Sequence, residues 1–254
     1  MVEIVNLVTN WLLLSALFAL VAIGFTLIFG VGGMLNLAHG ASITIGAYTA
    51  YYVTQLGVNI WLGTVGAIIV AGAFGALLYK GLVQWVQDEP IIVMILTLVS
   101  ALIVEQIIIV TVGTQPKVIS NLIGGQMMIA NNAVQNNRIV LFVLSWVVIV
   151  GLFLFINHTK QGKAILATSM DQKGASLVGI ESDRIYLYTW VIASMLAGVV
   201  GVFLAMQRTA TWDMGRSPLL LSFAIVVVGG LGSVRGSVVG AYLVGLLEVV
   251  TISV

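Results

Sequence analysis

Two polar side chains that could bind a solute, Asn36 and His39, lie in an otherwise apolar stretch that is rich in glycine. On a helix, a separation of three residues would place both on one face. A neutral imidazole and a carboxamide each donate and accept hydrogen bonds. They would serve either to bind a polar solute in a pathway or to join neighbouring helices, and the residues alone leave both roles open.

A carboxylate, Glu105, lies well inside the apolar run 91–113. A charged group within a membrane is energetically expensive, so such a residue is by default a candidate for function. We predict that Asn36, His39 and Glu105 line or border a translocation route. In the alternative interpretation, Glu105 is protonated, paired inside the bundle, or close enough to the outer boundary to reach water. Glu248, in the last apolar run, allows the same alternatives.

The composition excludes a soluble globular protein and several kinds of chemistry. Of 254 residues, 60% are hydrophobic and only 7% are charged, whereas soluble proteins have roughly 25% charged residues. Ten Lys+Arg and nine Asp+Glu give a net charge of +1, which provides no basic surface for nucleic acid. The chain has no cysteine and two histidines, which excludes disulfides and cysteine-ligated metals and argues against His-rich metal sites. We therefore expect no cofactor on this chain, with lipid and other proteins as its partners.

The distribution of charge divides the chain into membrane-spanning segments. No charged residue lies between Glu3 and Lys80, and largely uncharged runs recur along the rest of the chain. A bilayer core requires about 20 apolar residues per helix, and lipid admits only helices or closed barrels. Because the runs are continuous rather than alternating, we predict an all-α, polytopic transmembrane helical bundle of about eight spans in one domain, 1–254. The predicted spans are residues 11–30, 34–53, 60–79, 91–113, 139–156, 185–206, 218–232 and 237–254.

Glycine and length predict that some of these spans are irregular. The second span begins in a glycine-rich segment, and we expect this entry to be unwound where it faces protein or a cavity. The seventh span, 218–232, is short enough to be a tilted or partial helix. The GxxxG motif from Gly236 to Gly240 and the small residues at helical spacing that end at Gly201 predict helix-packing surfaces.

Charge asymmetry predicts the orientation of the bundle. The first ten residues carry Glu3 and no Lys or Arg, which differs from a secretory signal and favours an N-terminus on the outside. With eight crossings, six of the ten Lys and Arg residues lie in inner loops and four in outer loops, in the direction of the positive-inside rule. This topology places residues 157–184 on the cytoplasmic side.

The segment 157–184 concentrates the polar residues of the chain. Small residues recur at helical spacing from Ala164 to Val178, which predicts one or two short helices interrupted at Gly174. Such a face would dock in the groove of a partner protein. The alternative is a solvated loop with surface helices.

Four segments, in order, resemble the branched-chain amino acid (Liv-type) ABC importer permeases of the H-type branch. The segment GFTLIFGVGGMLNLAHGASITIGAYTAYYV resembles the first and second spans of that family. The family's middle span resembles ILTLVSALIVEQIIIVTVGTQP, and its cytoplasmic loop resembles HTKQGKAILATSMDQKGASLVGIESDRI. Its late glycine-rich hairpin resembles VVVGGLGSVRGSVVGAYLVGLLE. The resemblance extends from Gly24 to Glu248.

The resemblance implies a transport subunit, not an enzyme, in the plasma (inner) membrane of a prokaryote. This chain would form the translocation path for branched-chain or related amino acids, urea or short amides. Its partners would be a second permease subunit, homologous or identical, two cytoplasmic ATPase subunits and an extracytoplasmic solute-binding protein. Ala175, Gly179 and Ile180 match the family's coupling segment, which contacts the ATPase. ATP and Mg would bind the ATPase subunits, and this sequence has no GxxxxGK[ST] phosphate loop.

The sequence departs from the family pattern at two places. Ala41 stands where family members often carry Glu, and relatives usually continue beyond the glycine-rich hairpin into a further apolar segment with a basic tail. Two alternatives to an ABC permease remain at this stage. A secondary transporter would use Glu105 and His39 as proton or ion sites, and a structural subunit of a membrane complex would need the docking loop without a polar pathway.

Overall fold

The computed structural model describes residues 2–129 and 132–253, most of which are helical. A short 3₁₀ helix, Val83–Trp85, lies between the third and fourth α-helices. The other elements, in chain order, are α1 (Val2–Gly32), α2 (His39–Gln55), α3 (Ile60–Gly81), α4 (Pro90–Val112), β1 (Gln126–Ile129), β2 (Asn132–Gln135), α5 (Asn136–His158), α6 (Lys160–Met170), α7 (Gln172–Leu177), α8 (Ser182–Gln207), α9 (Arg216–Gly229) and α10 (Val234–Ser253).

Helices α1 and α8 form the centre of the bundle. In both, 78% of the most apolar segment is buried inside the protein, whereas the corresponding fraction is 28% in α3, α4, α5 and α10. Helix α10 runs antiparallel to α1, because Trp11 donates a hydrogen bond to the carbonyl of Tyr242 and Thr26 meets Ser237. The outer helices therefore leave most of their apolar side chains on the outside of the bundle and enclose the two central ones.

Helix α4 shows how an outer helix positions a polar residue. Its buried positions are Val93, Thr97, Ser100, Ala101, Glu105 and Ile108, which follow helical spacing and so form one narrow stripe. The opposite side carries exposed aliphatic side chains along its length. The carboxylate of Glu105 therefore points into the protein and not into lipid.

The structure confirms the predicted all-α membrane bundle in its main features. Each of the eight predicted runs coincides with a described helix. Six of these helices, α1, α3, α4, α5, α8 and α10, are long and apolar enough to cross a membrane. Helices α2 and α9 have 17 and 14 residues, at or below the lower limit of about 17 for a crossing. The count of eight spans therefore stays a prediction.

Helix α2 begins in the interior of the bundle. Residues 33–38 are not helical, and His39, the first residue of α2, makes a hydrogen bond to the carbonyl of Val21. Val21 lies eleven residues before the end of α1, a depth of about 16 Å at 1.5 Å per residue. The backbone N–H of Leu37 donates to the hydroxyl of Thr97 at 3.1 Å, which satisfies a polar group that lipid could not. The expected unwinding at this entry is thus observed, and it displaces the start of the helix from residue 34 to His39.

Helix α9 begins at the same junction as α2. A Cβ added to Gly40 would lie 2.7 Å from the carbonyl oxygen of Gly215, which directly precedes α9. From there α9 runs toward the end of α1, since Gly232 after α9 contacts Gly30. Two helices of less than full length therefore start side by side at one level of the bundle.

Two irregular regions mark opposite ends of the bundle. Contrary to the expectation of helices throughout, β1 and β2 form an antiparallel hairpin between α4 and α5. The backbone of Lys117, before the hairpin, pairs with Ala210, between α8 and α9. We call this the hairpin end of the bundle. The other end carries α6 and α7 and is called the α6–α7 end.

The segment 157–184 forms two short helices as predicted, but the predicted interruption at Gly174 is wrong. The break lies at Asp171, whose extended backbone separates α6 from α7. Gly174 belongs to α7, where a Cβ would lie 2.6 Å from a carboxylate oxygen of Asp171. Glycine at this position makes room for the side chain of Asp171 and does not end a helix.

Candidate solute pathway

His39 is completely buried and links α2 to α1. Its Nε2 lies 3.3 Å from the carbonyl oxygen of Val21, and its ring is edge-on to Phe25 with centroids 6.2 Å apart. Its Nδ1 has no hydrogen-bond partner within the described residues. The structure thus places His39 as an interhelical contact with one unused polar atom, and its role in the pathway stays a prediction.

Asn36 does not share a helical face with His39, and that prediction is wrong. Asn36 precedes α2 and is buried in the non-helical segment. Its Oδ1 accepts a hydrogen bond from the N–H of Ala38 at 3.0 Å, the local turn that asparagine typically forms with backbone two residues ahead. Its Nδ2 is buried without a partner among the residues described. Asn36 therefore shapes the entry to α2, and its pathway role stays a prediction.

Glu105 is paired with a cation that the sequence did not reveal. Arg216, at the start of α9, donates from Nε to one carboxylate oxygen at 2.8 Å and from a terminal nitrogen to the other. The guanidinium also lies over the ring of Trp212, 5.2 Å from its centroid. A bidentate arginine–carboxylate pair is both strong and geometrically specific. Of the alternatives for Glu105, the structure shows pairing inside the bundle.

A cavity of about 450 Å³ lies at the hairpin end, between α1, the start of α9 and the chain that connects α8 to α9. Its apolar wall includes Leu14 and Phe18 of α1 and Leu204 of α8. Three charged residues also line it: Arg208 and Asp213 from the connection between α8 and α9, and Glu248 from α10. None of the three predicted pathway residues lines this cavity.

The predicted residue His39 nevertheless lies next to the cavity. Val21, which lines it, is the residue whose carbonyl faces the His39 ring. Met214 and Ser217, also in the lining, flank Gly215, which contacts the start of α2. This part of the cavity therefore ends at the depth in the bundle where α2 and α9 begin.

Comparison with known proteins identifies the family. Residues 7–254 match the family model described as branched-chain amino acid transport system / permease component. The chain belongs to this permease family. The branched-chain amino acid permease LivH of Escherichia coli (strain K12) is 28% identical over 94% of this chain and 83% of that protein. BraD of Pseudomonas aeruginosa is 29% identical over the same shares, and the fructose import permease FruF of Bifidobacterium longum is 23% identical over 92% and 67%.

The charged residues of this permease's cavity can be recognised in the sequence as isolated charges, but not as parts of one site. Between two apolar runs, the segment 207–218 contains three charged residues, and Arg208, Asp213 and Arg216 are neither clustered nor in a known motif. Glu248 is visible as an isolated acid in an apolar run. Nothing in the sequence connects Glu248 with this segment, because the two meet only where α10 packs against α1 and α9.

We expect the ion pair between Glu105 and Arg216 to stabilise the permease. In Arg216→Gln, the buried Glu105 carboxylate loses its cation. Breaking a fully buried pair destabilises by about 3–5 kcal/mol and an exposed one by about 0–1. Since the Arg216 side chain is 53% exposed and that of Glu105 is 11% exposed, we expect a loss of about 1–2 kcal/mol. Thermal unfolding in detergent, followed by tryptophan fluorescence, measures it.

Two further variants test whether the effect comes from the unpaired charge. The double variant Glu105→Gln with Arg216→Gln removes both charges and should recover most of the lost stability. Arg184→Gln breaks an exposed pair with Glu181 and should change the melting temperature little. A double variant no more stable than Arg216→Gln would contradict this account of the pair.

Proposed function

We propose that this chain is the permease subunit of an ATP-driven importer and forms the translocation path for branched-chain or related amino acids. The observation that carries the proposal is the family match over residues 7–254, combined with a multi-pass helical bundle. Relatives named for branched-chain amino acid transport support this solute class. Urea, short amides and the sugar named for one relative are the solutes to compare with it.

The proposed complex contains a second permease subunit, two ATPase subunits and an extracytoplasmic solute-binding protein in a prokaryotic plasma membrane. ATP and Mg bind the ATPase subunits in this scheme, and the permease contributes no chemical step. Closure of the ATPase pair around ATP moves the attached short helices and switches the bundle between outward and inward access, a two-state mechanism of domain motion.

We assign the α6–α7 end to the cytoplasm and to the ATPase contact. Met170, Leu177 and Val178 are 78–88% exposed at this end, and we call them the coupling face. Of the residues predicted from the family resemblance, Ala175 is buried and supports α7 from behind. Gly179 and Ile180 follow the coupling face directly.

The geometry after α7 accounts for Gly179. Its N–H donates to the Ser176 carbonyl, and the N–H of Ile180 donates to the Ala175 carbonyl, both at 3.1 Å. Gly179 has φ +85°, so these bonds form the Schellman ending of a helix, in which a left-handed residue strongly favours glycine. The three predicted residues thus hold the coupling face in shape, while its exposed side chains supply the contact.

Reconstitution tests the proposed function. The permease is co-expressed with candidate ATPase and second permease subunits from neighbouring coding regions, purified as a complex and placed in vesicles with the solute-binding protein. We expect leucine uptake that requires hydrolysable ATP and persists when ionophores remove proton and sodium gradients. Uptake that needs an ion gradient and no ATPase subunit would establish a secondary transporter instead.

A further inference from the structure

We propose that the cavity at the hairpin end is a binding site for a zwitterionic solute with an aliphatic side chain, held by charged groups of this chain. The proposal rests on the proposed function, because it names where the permease holds its solute. It assigns Arg208 to the carboxylate of the solute, and Asp213 and Glu248 to its ammonium group. The apolar wall formed by α1 and α8 receives the aliphatic side chain.

The size and lining of the cavity suit a small-molecule ligand. A volume of about 450 Å³ falls within the range of about 300–1,000 Å³ in which proteins hold small molecules. Small-molecule sites are typically apolar with a few polar groups that orient the ligand. Here Leu14, Phe18 and Leu204 provide apolar surface, and the few charged residues of the lining provide the groups that would orient a ligand.

The charged groups of the cavity are available to a ligand. Within the described residues, neither an ion pair nor a side-chain hydrogen bond involves Arg208, Asp213 or Glu248. By contrast, the nearby Arg216 forms an ion pair with Glu105, and its charge also acts on Asp213 at longer range. One cation and two anions that form no ion pair among the described residues line a single cavity, and together they match a ligand that carries both signs of charge. A sugar would leave these groups without ionic partners.

The charged groups of the cavity are also accessible to water, which allows the solute to be released. Asp213 and Glu248 are half-buried and Arg208 is exposed, so water weakens each ion pair with the solute. The site therefore attracts a zwitterion without holding it too tightly for transport. At one side the lining reaches Val21 and the residues around Gly215. These belong to the junction where α2 and α9 begin, and separating them would extend the cavity toward the α6–α7 end.

The test uses a cysteine reporter, since the native chain has no cysteine. Ser217→Cys places a thiol in the lining, and Ser120→Cys places one on the exposed loop before the hairpin. Both are labelled with a membrane-impermeant thiol reagent in vesicles that contain the assembled complex. Leucine at about twice its Kd should slow labelling at position 217 about threefold, since protection follows 1 + [L]/Kd. Labelling at position 120 should be unchanged.

Competitors and charge variants define the chemistry. 3-Methylbutylamine, 4-methylpentanoate and fructose each lack one or both charges and should protect position 217 much less than leucine. Arg208→Gln or Glu248→Gln, in the Ser217→Cys background, should weaken protection by leucine about tenfold or more, as expected when one partner of a charge pair is removed. Glu181→Gln, at the opposite end, removes an exposed charge and should leave protection intact.

The outcomes separate this proposal from the proposed function. Protection by leucine that depends on Arg208 and Glu248 supports the site. ATP-driven leucine uptake without protection at position 217, or equal protection by fructose, overturns the site while the transport function stands. Failure of the complete wild-type complex to take up any amino acid overturns the proposed function itself.

Discussion

Replacing Gly201 with leucine is expected to abolish correct assembly of the helical bundle. Gly201 lies on α8, and a Cβ at this position would overlap the carbonyl oxygen of Ile43 and the backbone of Ala47 on α2. Backbone atoms cannot rotate away as a side chain can, so the two helices would have to separate. Packing in membranes depends on such close backbone approach, and overpacking of a tight interior costs about 1–3 kcal/mol or more.

The measurement is the yield of monodisperse protein extracted from membranes, by size-exclusion chromatography of a fluorescent fusion. We expect a fall of at least about tenfold, which corresponds to 1.4 kcal/mol. Gly151→Leu is the matched control, because Gly151 also lies within an apolar helix but has no atom within 4 Å of its Cβ position. If both variants give wild-type yield and elution, Gly201 does not determine the packing of α8 against α2.

The second large effect is expected at the coupling face. In Leu177→Asp combined with Val178→Asp, two exposed apolar side chains become charged. If these side chains are buried against an ATPase subunit, each loses a contribution of about 1.5–3 kcal/mol and places a charge in an apolar contact. We therefore expect uptake to fall at least about tenfold, and less ATPase subunit to be recovered with the permease.

The matched control for this variant adds charge elsewhere at the same end. Gln161→Glu introduces a negative charge at an exposed position of α6 outside the coupling face. It should retain uptake and ATPase recovery, and all variants should reach the membrane in equal amounts. Normal ATP-driven uptake in the Leu177→Asp and Val178→Asp double variant would exclude the coupling face as the ATPase contact.

Gly179→Val probes the same contact through the backbone. A β-branched residue is strained at a φ of +85°, although nothing lies within 4 Å of the Cβ position. The substitution should therefore distort the end of α7 without a steric clash. Uptake per complex should fall while the permease remains folded, which distinguishes it from Gly201→Leu.

The family resemblance and most of the helices could be predicted from the sequence. Lipid offers no hydrogen bonds to the backbone N–H and C=O groups, so a long uncharged run in a membrane must form a helix to pair them. This rule holds whichever other helices pack against the run. That rule locates α3, α4, α5, α8 and α10 within a few residues of their observed bounds, whereas α1 begins at Val2 and not at the predicted residue 11. It fails at Met34, where the run continues but the backbone is not helical. There the backbone is buried in protein, and the hydroxyl of Thr97 accepts a hydrogen bond from the backbone N–H of Leu37 that a helix would otherwise supply.

The candidate site was predictable only in part. Glu105 and Glu248 stand out in apolar runs, and His39 stands out in a glycine-rich one. The partner of Glu105 is 111 residues away, and nothing in the spacing of Arg216 points to it. The spacing of Asn36 and His39 indicated a shared face because a helix was assumed through both, whereas the helix begins at His39.

The sequence by itself determined that this protein is a membrane helical bundle of a permease family, with a segment of short helices outside the apolar runs. Both the apolar runs and the family motifs consist of contiguous residues, so they can be recognised without the fold. Tertiary structure alone decided that α2 and α9 start at one interior junction, that Glu105 pairs with Arg216, and that Arg208, Asp213 and Glu248 share a cavity. All three features depend on which helices pack against each other. Contacts such as that between Gly40 and Gly215 join residues that no local pattern relates, since close approach requires small residues on both surfaces at the same depth.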